Sequence, residues 1–182
     1  STRLIGTVIV VHGDEKGLRL PPKLAPIQVV IVPIYKSDEE HSRVINACKA
    51  LGKDMKDIRV HIDDRDEKSP GFKFNEWEVK GVPVRIEIGP KDLEKNQAMV
   101  IKRSTGEKAA HPLKDIDATF MGKLLESVHQ DLLSQAETFL KEHTFEVDSL
   151  SEMEKILESD GGFVWAPWDG TLDTANRIKD KT

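Results

Sequence analysis

Apolar residues recur with two different periods along this chain, and the switches between them mark its elements. Ile27 to Ile34 is a near-continuous run of Val and Ile, the pattern of a strand buried on both faces. Ser37-Asp38-Glu39-Glu40 follows as a capping box, with a Ser side chain for the first-turn amides and Glu40 three residues on to reach back. Val44, Ile45, Cys48 and Leu51 then fall at helical spacing, and Gly52 suits the exit. Asp57 to Ile62 reads as a second strand, so the three segments form a parallel crossover unit. Phe72 to Lys80 is a short helix closed by Gly81. Val82 to Ile88 alternates, placing Val84, Ile86 and Ile88 on one face and Arg85 and Glu87 on the other.

Gly89-Pro90 breaks that strand. Gln97 to Arg103 predicts another strand, Ser104 to Glu107 a turn, and Lys108 to His111 a short returning strand. A long amphipathic helix follows, with Met121, Leu124, Leu125, Val128, Leu132, Ala136, Phe139 and Leu140 as its stripe. The tail predicts a helix over Ser151 to Leu157, a strand over Phe163 to Trp168 and a helix over Asp173 to Lys179. At the front, Ile5 to Val11 is β-branched and apolar and reads as a strand, the end of something larger. His12 to Gly17 reads as a turn, and the proline-bearing segment Leu18 to Pro26 as a linker. The fold class is α/β: a mixed sheet of about five strands with flanking helices, followed by a small α/β domain.

Composition adds a location for the charge. Of 182 residues, 38% are hydrophobic and 32% charged, a polar but globular balance able to bury a core. The net charge of −5 argues against a generic polyanion binder. However, Leu124 to Thr182 carries 13 acidic residues against 5 Lys and Arg, which leaves the front portion with a net +3. RNA binding there would therefore rest on individually placed contacts. The longest apolar run is interrupted by Gln28 and Pro33, so no membrane partner and no signal peptide are expected. The single cysteine, Cys48, forms no internal disulfide, which suits a cytoplasmic location.

Most conventional chemistry is excluded by spacing. Cys48 sits on an apolar helix stripe, as a buried structural thiol does. The six histidines show no ligand spacing, and no glycine loop fits a phosphate fingerprint. Trp165 and Trp168 lie in a short apolar strand and are expected to pack, and Trp77 is expected to anchor the core. Phe72 is expected to help hold sheet and helix together. The charged set Glu78, Arg85, Lys91, Asp92 and Lys108 remains. A solvated sheet edge with ordinary ion pairs would have the same composition. A guanine-reading surface would too, since a carboxylate suits N1–H and the exocyclic amine, and Arg or Lys suits O6 and N7.

The segments STRLIG, HGDEKGLRLPPKLAPIQVVIVPI, DDRDEKSPGFKFNEWEVKGVPVRIEIGPKD and GGFVWAPWDG closely resemble the C-terminal part of the prolyl-tRNA synthetase family, class II aminoacyl-tRNA synthetases. The resemblance implies three parts: residues 1–22 as the end of the catalytic domain, 23–123 as the anticodon-binding domain, and 124–182 as a long helix with a truncated C-terminal domain. It assigns Ser1 and Arg3 to ATP, and Glu78, Arg85, Lys91, Asp92 and, less directly, Lys108 to the anticodon of proline tRNA, which ends in two guanines. It further implies proline and ATP with Mg as ligands of the longer enzyme, which is dimeric through its catalytic domain. This chain alone would not activate proline. Many relatives hold zinc in the C-terminal domain, starting from a Pro-Trp-Cys-Gly motif. Here Pro167-Trp168-Asp169-Gly170 replaces it and Thr174 stands near the second cysteine position, so no zinc is expected. The alternative is a stand-alone α/β domain that binds a protein or small ligand without reading RNA.

Overall fold

A computed structural model of the chain describes residues 2–159 and 161–180. It divides into two compact units, Ser1–Leu133 and Ser134–Thr182. The first begins with α1 (Arg3–His12), followed by β1 (Val29–Pro33), α2 (Asp38–Asp54), β2 (Val60–Ile62), α3 (Pro70–Val79), β3 (Val84–Ile88), α4 (Pro90–Glu94), β4 (Gln97–Lys102) and β5 (Lys108–Pro112). A 3-10 turn (Leu113–Asp115) leads into α5 (Ala118–Glu142). The second unit holds β6 (Thr144–Glu146), α6 (Leu150–Glu158), β7 (Phe163–Trp165) and α7 (Leu172–Lys179).

The five strands of the first unit form one mixed sheet in the order β2-β1-β3-β4-β5. β1 is parallel to both β2 and β3, whereas β4 and β5 run antiparallel beyond them. Alternation along the strands sorts side chains onto two faces. Val29, Ile31, Val84, Ile86, Ile88, Ala98 and Val100 pack with Val44, Cys48 and Leu51 of α2 and Met121, Leu125, Val128 and Leu132 of α5 in the main core. On the opposite face, Val30 and Val32 of β1 pack with Trp77 of α3 and Val82. α3 therefore has contacts with β1, while the same face of β3 and β5 carries Arg85, Glu87 and Lys108.

Caps fix where the helices begin. Ser37 accepts from the Glu40 amide at the start of α2, and Glu40 reaches back to the Lys36 amide at 2.8 Å, one residue beyond the expected one. Ser69 accepts from the Phe72 amide and Pro70 opens α3, a favoured first position for proline. The connector from Leu18 to Pro26 is held by main-chain bonds. Leu18 and Leu20 donate to the carbonyls of Val79 and Gly81, and the Arg59 guanidinium donates to those of Ala25, Pro22 and Lys23.

Several expectations are corrected. Ile5 to Val11 lies in α1, not in a strand. A solitary apolar run has no neighbouring strand to pair its amides and carbonyls, and a helix pairs them internally. Gly89-Pro90 ends β3 but opens α4, because Pro suits the first helical turn and the Asp92 carboxylate accepts from the Gly89 amide at 3.0 Å. Phe72 is exposed, with the Lys68 ammonium 4.7 Å above its ring. Five positions separate it from the buried Trp77, about 140° around the helix. The buried stripe of α5 ends at Leu132, and Phe139 and Leu140 are exposed.

Trp165 and Trp168 are 71% and 66% exposed, contrary to the packing expected of them. β6 and β7 are three residues each and form a two-stranded parallel sheet. Among the described residues of this unit only Val147 and Met153 are buried hydrophobics, too few to cover two indoles.

Candidate nucleic-acid interface

β3 supplies the centre of the charged surface. Its alternation sends Arg85 and Glu87 to the face opposite the main core. Register then brings Lys108 of β5 onto the same row as Arg85, since both pair with Ile101 of β4. Glu87 is 4% exposed and sits between the two cations. Its Oε1 accepts from Arg85 Nε at 3.1 Å, and its Oε2 accepts from Lys108 Nζ at 2.7 Å. Arg85 is also fixed from α3: its guanidinium lies 4.7 Å from the Phe74 ring centroid and donates to the Phe74 carbonyl. A buried carboxylate with two cations satisfies its own charge and orients both partners.

Beside Arg85 opens a cleft of about 160 Å³. Glu78, the next-to-last residue of α3, lines it with Arg85. So do Asp14, Lys16, Lys102 and Arg103, which makes four basic side chains against two acidic ones. Lys16 Nζ lies 3.3 Å from Glu78 Oε1. Arg103 forms a two-pronged pair with Asp14, at 2.8 and 2.6 Å, and donates Nε to the Glu78 carbonyl at 3.1 Å. The Arg103 bonds hold the Asp14 carboxyl down to about 2. Burial acts to lower the Lys102 ammonium, but its bonds to Glu107 and Asp131 outweigh that and raise it. At neutral pH the cleft is thus lined by fixed charges of both signs.

The five expected anticodon residues fall into two groups. Glu78 and Arg85 share the cleft, and Lys108 joins Arg85 through Glu87. Lys91 and Asp92 lie past the other end of β3, on α4. Lys91 is exposed and Asp92 caps the helix start. From Arg85 to the end of β3 at Ile88 the strand runs about 10 Å before α4 begins. Arg3 lies in the exposed helix α1, and Ser1 lies outside the described residues. Asp14, Lys16, Lys102 and Arg103 were not singled out from sequence. Asp14 and Lys16 fall in the turn His12 to Gly17, and Lys102 and Arg103 close the expected strand Gln97 to Arg103.

A second charged network lies under α3. Asp63 is buried, accepts two bonds from Arg65 at 2.8 Å, and accepts from the Trp77 indole at 2.7 Å. The buried Lys73 ammonium donates to the Asp63 carbonyl at 3.0 Å. Burial acts to raise the Asp63 carboxyl, but Arg65, Trp77 and Lys73 together hold it well below the usual carboxylate range. Among the described residues no group of three or more His, Cys, Asp or Glu gathers as a metal site. Asp169 accepts instead from Thr171 and Thr174. No helix among them is long and apolar enough to cross a membrane.

A family model described as "Anticodon binding domain" matches residues 28–121, more than half of the chain, and the chain belongs to that family. Along its whole length it is also similar to curated proteins named "Proline--tRNA ligase". It is 46% identical to the one from Rubrobacter xylanophilus, 46% to the one from Flavobacterium psychrophilum and 48% to the one from Alkaliphilus oremlandii. All of this chain is covered in each case, and 38%, 37% and 37% of the respective relatives. The chain thus spans under two-fifths of the length of the relatives it matches.

Proposed function

We propose that this chain is the C-terminal, tRNA-binding portion of a proline–tRNA ligase, and that it reads the anticodon of proline tRNA. The observation that carries the reading is the Arg85–Glu87–Lys108 array, on a sheet face of the matched domain and beside the Glu78 cleft. Glu78 accepts from the N1–H and exocyclic amine of one anticodon guanine, and Arg85 and Lys108 donate to O6 and N7 edges. Lys91 and Asp92 meet the neighbouring nucleotide. The stretch of β3 from Arg85 to Ile88, about 10 Å, exceeds the roughly 3.4 Å rise of stacked bases, which suits splayed single-stranded RNA.

The ligase reaction belongs to the longer protein, a cytoplasmic homodimer that joins proline to its tRNA with ATP and Mg. There the proline carboxylate attacks the α-phosphate of ATP, expelling pyrophosphate and forming prolyl-adenylate, and the terminal ribose hydroxyl of the tRNA then attacks the prolyl carbonyl and displaces AMP. Arg3, with Ser1, would meet the triphosphate, because a guanidinium presents a planar, permanently charged fork. No residue of this chain is assigned a catalytic step.

Titration of the chain with a proline anticodon stem-loop, and with versions carrying adenine for either guanine, tests this reading. Binding should weaken steeply with salt as phosphate counterions are released. Arg85→Ala or Glu78→Ala should lose about 1–3 kcal/mol of discrimination at one guanine. A stand-alone interaction domain would bind all three loops alike, and that result would remove the assignment.

A further inference from the structure

The cleft that holds Glu78 is not built from the matched domain alone. Its carboxylate projects from the last turn of α3, where main-chain carbonyls lack partners within the helix. Arg103, across the cleft on the segment after β4, donates to the Glu78 carbonyl and thereby ties the end of α3 to the sheet. Its side chain is only 7% exposed. A guanidinium at this helix end also complements the negative end of the helix dipole.

Arg103 is itself held by Asp14, 89 residues away in sequence, through two parallel bonds of 2.8 and 2.6 Å. The Asp14 turn is seated firmly. Asp14 and Gly17 exchange main-chain bonds, and Asp14 Oδ1 accepts from the Lys16 amide at 2.9 Å. Gly17 has φ +128°, and a Cβ there would stand 2.6 Å from the Val79 main chain, so the turn lies directly on the end of α3. The same turn presents Lys16 to Glu78. Asp14, Lys16 and Gly17 all precede residue 28, where the family match begins.

We propose that Arg103, anchored by Asp14, is a positioning residue for Glu78, so that the turn ahead of the matched domain sets how strictly the cleft selects its base. The inference rests on the base-reading role of Glu78 proposed above. Two parallel donors on a guanine edge require the carboxylate in one place and one orientation, because hydrogen bonds weaken steeply with misalignment. Lysine keeps the charge of Arg103 but cannot form the fork to Asp14 and the bond to the Glu78 carbonyl together.

The test uses the 182-residue chain, its variants Glu78→Gln, Arg103→Lys, Asp14→Asn and the double variant Arg103→Lys with Glu78→Gln, and three anticodon stem-loops. One loop is the proline sequence and the other two each carry adenine for one guanine. Glu78→Gln should lower guanine preference at one position by about fivefold or more, the share of one bidentate contact. Arg103→Lys and Asp14→Asn should lower preference at that same position and leave the other unchanged. The double variant should lose no more than Glu78→Gln alone, as expected when two residues act through one contact. The proposal is overturned if either variant weakens all three loops equally, retains the preference, or adds its loss to that of Glu78→Gln. Parent-like preference in Glu78→Gln would instead overturn the base-reading role itself, and the two failures are therefore distinguishable.

Discussion

Trp77 donates its indole N–H to the Asp63 carboxylate at 2.7 Å, which joins the end of β2 to the last turn of α3. Removing the carboxylate affects more than the indole, because the buried Lys73 ammonium lies 3.9 Å from Asp63 Oδ1. Asp63→Ala should cost about 3–5 kcal/mol, the range for stranding a buried charge. Trp77→Phe keeps the ring but loses the donor, and should cost about 1–2 kcal/mol. Urea denaturation of the three proteins measures both, and equal losses would argue against Lys73 as the reason for the difference.

Acid should unfold the protein in a defined window. Asp14 and Asp63 both have carboxyls held below their unfolded value of about 3.9. Their contribution is complete above about pH 4 and is lost as pH falls toward the Asp14 value of about 2. Asp14→Asn and Asp63→Asn should each flatten the decline of stability across that window. The measurement is the urea midpoint as a function of pH, and a slope unchanged in both variants would contradict the coupling.

Glu87 has two cationic partners, so losing one should be tolerated. Arg85→Met and Lys108→Met should each cost about 1 kcal/mol of stability, because the remaining cation still pairs the carboxylate. The double variant leaves Glu87 buried without either partner and should cost about 3–5 kcal/mol, more than the sum. A double-mutant cycle in urea checks this, and simple additivity would exclude the shared role.

Gly81 ends α3 with φ +72°, and a Cβ at that position would stand 2.6 Å from the Leu18 main chain. Gly81→Ala therefore combines left-handed backbone strain with a clash that side-chain rotation cannot relieve. It should lower stability by about 2 kcal/mol. Thermal unfolding reads the effect, and a change below about 0.5 kcal/mol would show that the Leu18 connector yields easily.

The parts visible in sequence were those governed by local period. The β1–α2–β2 crossover, the cap at Ser37 and the sharing of one face by Arg85 and Glu87 all follow from spacing within a few residues. The anticodon-binding family was legible in a different way, through the resemblance of long runs such as PGFKFNEWEVKGVP to that family. α1 looks like a strand in sequence because its residues are β-branched, but such residues favour a strand only where a neighbour completes the ladder. The exposure of Trp165 and Trp168 is not legible, because an apolar segment reveals nothing about the size of the layer it meets. The Arg103–Asp14 pair is not legible either, since a contact across 89 residues leaves no local trace.

The outer strands of the first unit also bear on association. β2 is only three residues long, and β5 opens with Lys108 and closes with Pro112, which has no amide hydrogen to offer. Short strands, lysine and proline at a border all discourage a further strand from another molecule. The lysine that completes the Glu87 pair thus also guards the rim against self-association. A partner that extends the sheet sideways meets poor borders, whereas one that lies across it meets ordered charge.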